Sequence, residues 1–207
     1  MKKYSVPSCE EFKRGHEEFK KREKRDAMYR VATFLVNQWW GKPADMADAI
    51  GVLMLTWNQA FYRYGRFEFS KLESFLKKNI SVLTQFRKRN IRTLALDDEK
   101  EIIRLFDELL DALKIQSENH KVDGRKSPVA VAKALHLLAP NFFPLWDDKI
   151  ARAYSIYYRS EPARKYVEFC RINKELERQL GSCVRDSEQF LKLMDEFNYA
   201  KYTFGWV

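Results

Sequence analysis

The sequence has few cysteines and no recognised metal or phosphate motif. Its three cysteines, Cys9, Cys170 and Cys183, are widely spaced, and none forms a Cys-x-x-Cys pair. This pattern favours neither a disulfide framework nor a zinc site, so we expect a reduced protein with no metal and no cofactor. Glycine-rich phosphate loops and the Gly-x-Ser-x-Gly and His-Glu-x-x-His motifs are also missing, which argues against nucleotide hydrolysis, serine esterase and zinc protease chemistry.

Long apolar segments are missing as well. The longest uninterrupted apolar run, at about 49–55, is far shorter than the ~20 residues that a membrane helix needs. The first residues lead into charged sequence and not into the apolar core of a secretory signal. We therefore expect a cytoplasmic protein without a membrane partner.

Charge is abundant and unevenly distributed. The chain has 38 Lys and Arg against 29 Asp and Glu, a formal net charge of +9. Residues 71–92 hold seven cations and one acid, whereas 97–118 hold eight acids and three cations. A protein with one electropositive side and one side that does not attract anions would suit a polyanionic partner such as duplex DNA. The candidate phosphate contacts are Arg87, Lys88, Arg89, Gly124 and Arg125.

The hydrophobic periodicity is helical almost throughout, and no segment alternates as a strand would. This predicts an all-α protein of eight to ten helices in one compact domain over 1–207. Two lobes, about 1–95 and 96–207, are the alternative arrangement. The expected helix starts include Ser8, Asp26, Ser127 with Pro128, Asp147 or Asp148, and Asp186 or Ser187.

One predicted helix is apolar on every side. From 129 to 139 every residue is apolar except Lys133 and His136, which is typical of a buried helix. A buried ammonium is costly unless it is paired, so Lys133 either extends to the surface or has a function. His136 either belongs to the core with its hydrogen bonds satisfied or faces a site, and we favour the first interpretation.

Asp147 follows Pro144-Leu-Trp and stands where the next helix begins. A carboxylate at this position accepts backbone N–H groups and interacts with the positive end of the helix. It is therefore either a simple cap or, together with a nearby lysine and Trp146, a catalytic carboxylate.

These residues resemble a known enzyme family. A glycine-containing turn, an apolar helix and then an aspartate capping the following helix are similar to the helix-hairpin-helix DNA glycosylases, over about residues 120–155. The nearest branch is the compact archaeal 8-oxoguanine glycosylases. The resemblance implies an atypical helix-hairpin-helix at Gly124–Ser127, an essential carboxylate at Asp147, and a lysine nucleophile at Lys126 or Lys133.

The sequence also departs from that family. The usual Leu-Pro-Gly-Val-Gly hairpin is absent, and the family's commonest Lys-to-Asp spacing would place the lysine at Pro128 or Val129. The aspartate is therefore better supported than either lysine. Two alternatives stay open: an enzyme that uses water, and a bifunctional enzyme with weak lyase activity.

Cleavage of an N-glycosidic bond needs only a few protein groups. Cleavage of an N-glycosidic bond builds positive charge on the sugar, which a carboxylate stabilises. A lysine that burial makes neutral can instead attack the sugar carbon. A flipped base also needs aromatic walls and polar groups that read its edge. The candidates for this pocket are Trp57, Asn58, Gln59, Phe61, His136 and Trp146.

The aromatic residues at the C-terminus allow two interpretations. Tyr199, Tyr202, Phe204 and Trp206 either pack against the core or form a lid over a site. Packing is the interpretation that we favour, and the lid is the alternative.

The expected function is that of a monomeric DNA glycosylase that excises a modified or damaged base from duplex DNA and leaves an abasic site. Base-excision repair and defence against phage with modified DNA are both open roles. The alternatives are a non-catalytic helical nucleic-acid-binding protein, in which Asp147 is only a cap, and a protein-interaction module.

Overall fold

The computed structural model describes residues 4–23, 26–184 and 189–207. No strand forms over these ranges, where only an isolated antiparallel bridge joins Arg66 and Gln116. The prediction of an all-α fold with eight to ten helices is therefore confirmed. The α-helices in the described ranges are α1 (Cys9–Arg22), α2 (Ala27–Gln38), α3 (Pro43–Trp57), α4 (Phe69–Arg87), α5 (Asp98–Ala112), α6 (Pro128–Leu138), α7 (Asp148–Ala153), α8 (Pro162–Leu180) and α9 (Phe190–Asn198).

Three of the predicted helix starts are confirmed by their side-chain caps. The Ser8 hydroxyl accepts the Glu11 amide at 3.1 Å, and the Ser127 hydroxyl accepts the Ala130 amide at 3.2 Å. Asp147 caps α7 in the same way. Each cap satisfies an amide that has no partner within its own helix, which explains why these helices begin where they do.

Asp26 does precede α2, but it does not cap it. Its backbone is left-handed, with φ of 37°, and its side chain makes no cap hydrogen bond. The carboxylate instead contacts Lys192 Nζ at 2.8 Å, a contact that only the folded chain creates. The predicted start at Asp186 or Ser187 lies outside the described residues, and α9 begins at Phe190.

The helix predicted to be buried, α6, lies at the centre of the fold. It packs against α2, α3, α5 and α8, and eight of its residues are buried. The first and last helices, α1 and α9, pack directly against each other. One hydrophobic cluster includes residues from both halves of the chain. Within the described residues, no helix is both long and apolar enough to cross a bilayer.

The expectation that no disulfide forms is wrong. The structure joins Cys9 to Cys183, with their Cα atoms 5.6 Å apart and a sequence separation of 174. The bond forms because the start of α1 lies beside the turn that follows α8, a proximity that no local pattern could indicate. Cys170 is a free, fully buried thiol, and burial raises its pKa.

Candidate functional site

Lys133 and Asp147 line the same pocket, which has a volume of about 200 Å³. Pockets for drug-sized ligands begin at roughly 300 Å³, so this space suits a small group such as a single base. Helix α6 contributes Lys133, and Asp147 stands at the N-terminus of α7. The two residues that the sequence singled out most strongly are thus brought together.

The Lys133 ammonium is held in a fixed position. Its Nζ donates to the backbone oxygen of Trp57 at 3.0 Å and to Oδ1 of Asn58 at 2.6 Å. Burial lowers the pKa of Lys133 to about 8, although the carboxylates of Asp195 and Asp147 act in the opposite direction. About a tenth of this amine is therefore neutral at pH 7, and the neutral form is the one that a nucleophile requires.

The Asp147 carboxylate is oriented by two donors. Its Oδ1 accepts the Ile150 amide at 2.7 Å, and its Oδ2 accepts the Thr203 hydroxyl at 3.0 Å. Thr203 lies in a π-helical turn, Tyr199–Thr203, that follows α9. The C-terminal segment therefore supports a side chain more than fifty residues earlier in the chain.

A stack of aromatic rings lies behind one wall of the pocket. Trp57 lines the pocket and stacks on Tyr29, with ring centroids 5.6 Å apart and planes 11° apart. The Tyr29 hydroxyl donates to Nε2 of His136 at 2.9 Å, because Nδ1 of that ring donates to the Phe143 carbonyl at 2.8 Å. Burial lowers the pKa of His136 to about 3, so the ring is neutral. His136 thus supports the wall from the core.

The other predicted base-pocket residues are dispersed. Trp146 lines the pocket, but it is almost fully buried and donates to the Pro128 carbonyl at 3.1 Å. Asn58 is buried and orients Lys133. Gln59 is exposed in a separate shallow depression, and Phe61 packs edge-on against Tyr62.

Sequence reasoning missed several residues of the pocket. Lys192 and Asp195 extend into it from α9, and Asp26 and Glu23 add two further carboxylates. Among the described residues, four carboxylates and two ammonium groups line the pocket, so it is more acidic than the protein as a whole. The i, i+3 spacing of Lys192 and Asp195 places them on one helix face, but nothing in the sequence indicates what that face meets.

Two further aromatic rings complete the lining. Tyr199 packs edge-on against Phe19, with centroids 5.7 Å apart, and both line the pocket. The Tyr199 and Phe204 ring centroids are also 4.9 Å apart. These ring contacts agree with the packing interpretation of the C-terminal aromatic residues.

Lys126 lies away from this pocket. Its Nζ contacts Oδ1 of Asp111 at 2.6 Å, and it is not one of the residues that line the pocket. The turn before it contains Gly124, whose φ of +72° is a left-handed conformation that favours glycine. This turn closes a loop in which the Ile115 amide donates to the Arg125 carbonyl at 2.9 Å.

Two of the five candidate phosphate contacts are engaged within the protein. Arg87 donates to the Leu138 carbonyl at the end of α6 at 2.7 Å and lies over the Trp40 ring. Arg89 pairs with both oxygens of Asp98 at 2.7 Å. Lys88, Gly124 and Arg125 are exposed.

In comparisons with family models, curated proteins and solved structures, nothing matches the chain. The site must therefore be interpreted from its own chemistry. Among the described residues, no cluster of three or more His, Cys, Asp or Glu side chains is placed to hold a metal ion.

Proposed function

We propose that the protein is a DNA glycosylase that accepts a flipped, modified base in this pocket and cleaves its N-glycosidic bond. The observation that carries the proposal is the convergence of Lys133 and Asp147 in one small aromatic-walled pocket. A carboxylate serves the hydrolytic route of this reaction, and an amine of lowered pKa serves the lyase route.

The pocket suits a single flat ring. Trp57, Phe19 and Tyr199 supply aromatic faces, and the volume of about 200 Å³ matches a group of that size. Enzymes that act on a base in duplex DNA extrude it into a pocket with such faces. The net charge of +9 favours the approach of DNA.

Asp147 has the central role in the reaction. As the bond to the base lengthens, positive charge develops on the sugar, and a carboxylate fixed by two donors stabilises it without reorganising. In the hydrolytic route, water adds to the sugar carbon and Asp147 accepts its proton. In the lyase route, the neutral amine of Lys133 adds to the same carbon.

A base-release assay tests the proposal. Duplex oligonucleotides carrying one 8-oxoguanine, or one 5-hydroxymethylcytosine, are incubated with the protein, and alkali then cleaves any abasic site. We expect release with one of these probes and a loss of about 100-fold or more in Asp147→Asn, which keeps a capping oxygen but removes the charge.

Asp148→Asn is the matched control. Asp148 is the adjacent carboxylate, but it is half exposed and pairs with Arg152 at 2.8 Å. The Asp148→Asn variant should therefore still release the base. Equal activity of Asp147→Asn and Asp148→Asn would reduce Asp147 to a cap. Tight duplex binding with no release from either probe would favour the non-catalytic nucleic-acid-binding protein.

A further inference from the structure

A second carboxyl group, that of Asp195, faces the pocket from α9. It lines the same space as Lys133 and Asp147, and its side chain is 17% exposed. The reaction described so far assigns it no role. Two carboxyl groups in one pocket can divide acid and base functions when their environments differ.

The environments of Asp147 and Asp195 do differ. Asp147 accepts hydrogen bonds from the Ile150 amide and the Thr203 hydroxyl, whereas no side-chain hydrogen bond to Asp195 forms among the described residues. Its nearest cation is Lys192 Nζ at 3.8 Å. Burial raises the pKa of Asp195 to about 7, Glu196 and Asp147 act in the same direction, and Lys192 and Lys133 oppose the rise. A large fraction of this carboxyl group therefore holds a proton at neutral pH.

Lys192 is shared among three carboxyl groups. It lies 2.8 Å from Asp26, 3.5 Å from Glu196 and 3.8 Å from Asp195. Burial alone would lower the pKa of Lys192, but these carboxylates outweigh burial and raise it. Lys192 therefore remains an ammonium, and it stands beside Asp195 when that group loses its proton.

We propose that Asp195 is the general acid that protonates the departing base. This inference rests on the proposed glycosylase function and adds to it the group that completes the leaving-group side of the reaction. It is carried by the placement of Asp195 in the pocket beside Asp147 and 3.8 Å from the Lys192 ammonium.

The bond between the sugar carbon and the base nitrogen breaks, and its electron pair stays on the nitrogen. That nitrogen takes the proton of Asp195, which becomes a carboxylate stabilised by Lys192. Water adds to the sugar carbon and gives one proton to Asp147. Proton exchange with solvent then restores both carboxyl groups.

The pH dependence of base release tests this role in the full chain. A general acid must be protonated, so the wild-type rate should fall as the pH rises through about 7. The Asp195→Asn variant should be slower by roughly 10²- to 10⁴-fold, and its rate should no longer fall as the pH rises through neutrality. The probes are duplexes that carry 8-oxoguanine or 5-hydroxymethylcytosine.

Glu196→Gln is the matched control on the same helix. Glu196 contacts Lys192 and His16 but is not one of the residues that line the pocket. The negative charge of Glu196 raises the pKa of Asp195. In Glu196→Gln the decline of the rate should therefore occur at lower pH, but it should still be present. A purely structural role for Asp195 would not predict this shift.

A second measurement does not depend on turnover. In protein labelled with ¹³C at aspartate carboxyl carbons, the resonance that Asp195→Asn removes should titrate near pH 7. Titration of that resonance near the ordinary aspartate value of about 4 would overturn the proposal.

The possible failures are distinguishable. If folded wild-type protein releases no base from either probe, the glycosylase function fails and the role of Asp195 fails with it. If wild-type protein releases a base and Asp195→Asn does so at a similar rate with the same pH dependence, only the acid assignment is overturned.

Discussion

Lys133 donates a 2.6 Å hydrogen bond to Oδ1 of Asn58, so a residue predicted to read a base instead orients the amine. The same amine donates to the Trp57 carbonyl at 3.0 Å. Both acceptors lie at the end of α3, and the packing of α3 against α6 therefore determines where Lys133 points. An isolated α6 could not hold the amine in this position.

We predict that Lys133 is the residue that forms any covalent adduct with DNA. Borohydride should trap an adduct with the wild-type protein and with Lys126→Ala, but not with Lys133→Met. The reason is that Lys133 lies in the pocket with its pKa lowered to about 8, whereas Lys126 pairs with Asp111 elsewhere. On a duplex that already carries an abasic site, where no base has to leave, trapping should increase as the pH rises through 8, because the neutral amine is the nucleophile.

An adduct that disappears only in Lys126→Ala would contradict this assignment. If no adduct forms with any variant, water is the nucleophile. Lys133→Met should then still slow base release without unfolding the protein, and a stable variant with full activity would show that the buried amine has no role.

Thr203 should influence base release through Asp147. Thr203→Val removes the donor at 3.0 Å from Oδ2 while keeping the shape of the side chain. A hydrogen bond to a charged group contributes about 1.5–3 kcal/mol, so we expect a loss of about 10- to 100-fold in single-turnover rate. Thr203→Ser, which keeps the hydroxyl, should restore most of the rate, and equal rates for the two variants would refute the role.

DNA binding should depend on the exposed cations Lys88 and Arg125 more than on Arg87 and Arg89, which bond within the protein. Lys88→Ala and Arg125→Ala should each reduce the slope of log affinity against log salt by about 1. Arg178→Ala, a cation on α8 that pairs with Glu175 at 2.8 Å, serves as the control. Electrophoretic mobility or fluorescence anisotropy at several salt concentrations measures the slope.

Arg87→Ala should act differently. Because Arg87 donates to carbonyl groups at the end of α6, its loss should lower the free energy of unfolding more than it lowers DNA affinity. Duplex binding that is absent even at low salt would contradict the predicted partner.

The Cys9–Cys183 bond should stabilise the fold. A disulfide typically contributes about 2–4 kcal/mol, largely by restricting the unfolded chain. We expect Cys9→Ser to lower the free energy of unfolding by this amount in urea without reductant. The wild-type protein with dithiothreitol should match the variant. A variant as stable as the oxidised protein would mean that the bond does not form in solution.

Stability should respond to acid through His136. Its pKa is about 3 when folded and about 6.5 when unfolded, so its contribution is complete above pH 6.5 and is lost as the pH falls. The expected slope is about 1.4 kcal/mol per pH unit. Asp195 has the opposite effect on stability. Because its pKa is raised to about 7, the folded protein binds this proton at a higher pH than the unfolded chain does, and the group adds stability as the pH falls below 7.

Asp195→Asn should therefore lose stability more steeply than the wild-type protein as the pH falls from 7 to 4.5. Urea unfolding at several pH values measures the difference between the two curves. Parallel curves would mean that the carboxyl group of Asp195 titrates at its ordinary pH.

The sequence by itself determined the helical class, and it singled out Lys133 and Asp147, which line the same pocket. Helical periodicity and capping residues such as Ser8, Ser127 and Asp147 depend on neighbours a few positions away, and these local relationships persist in the folded chain. Lys133 stood out for a similar reason, since an ammonium within an apolar helix is costly whatever surrounds it.

Only the tertiary structure decided which distant residues meet. Asp195 and Lys192 reach the pocket because α9 packs against α1, and Cys9 meets Cys183 because the start of α1 lies beside the turn after α8. Asp26 looked like a cap and pairs with Lys192 instead. Contacts of this kind depend on how whole helices pack, and the spacing of residues along one helix carries no information about the partner that its face will meet.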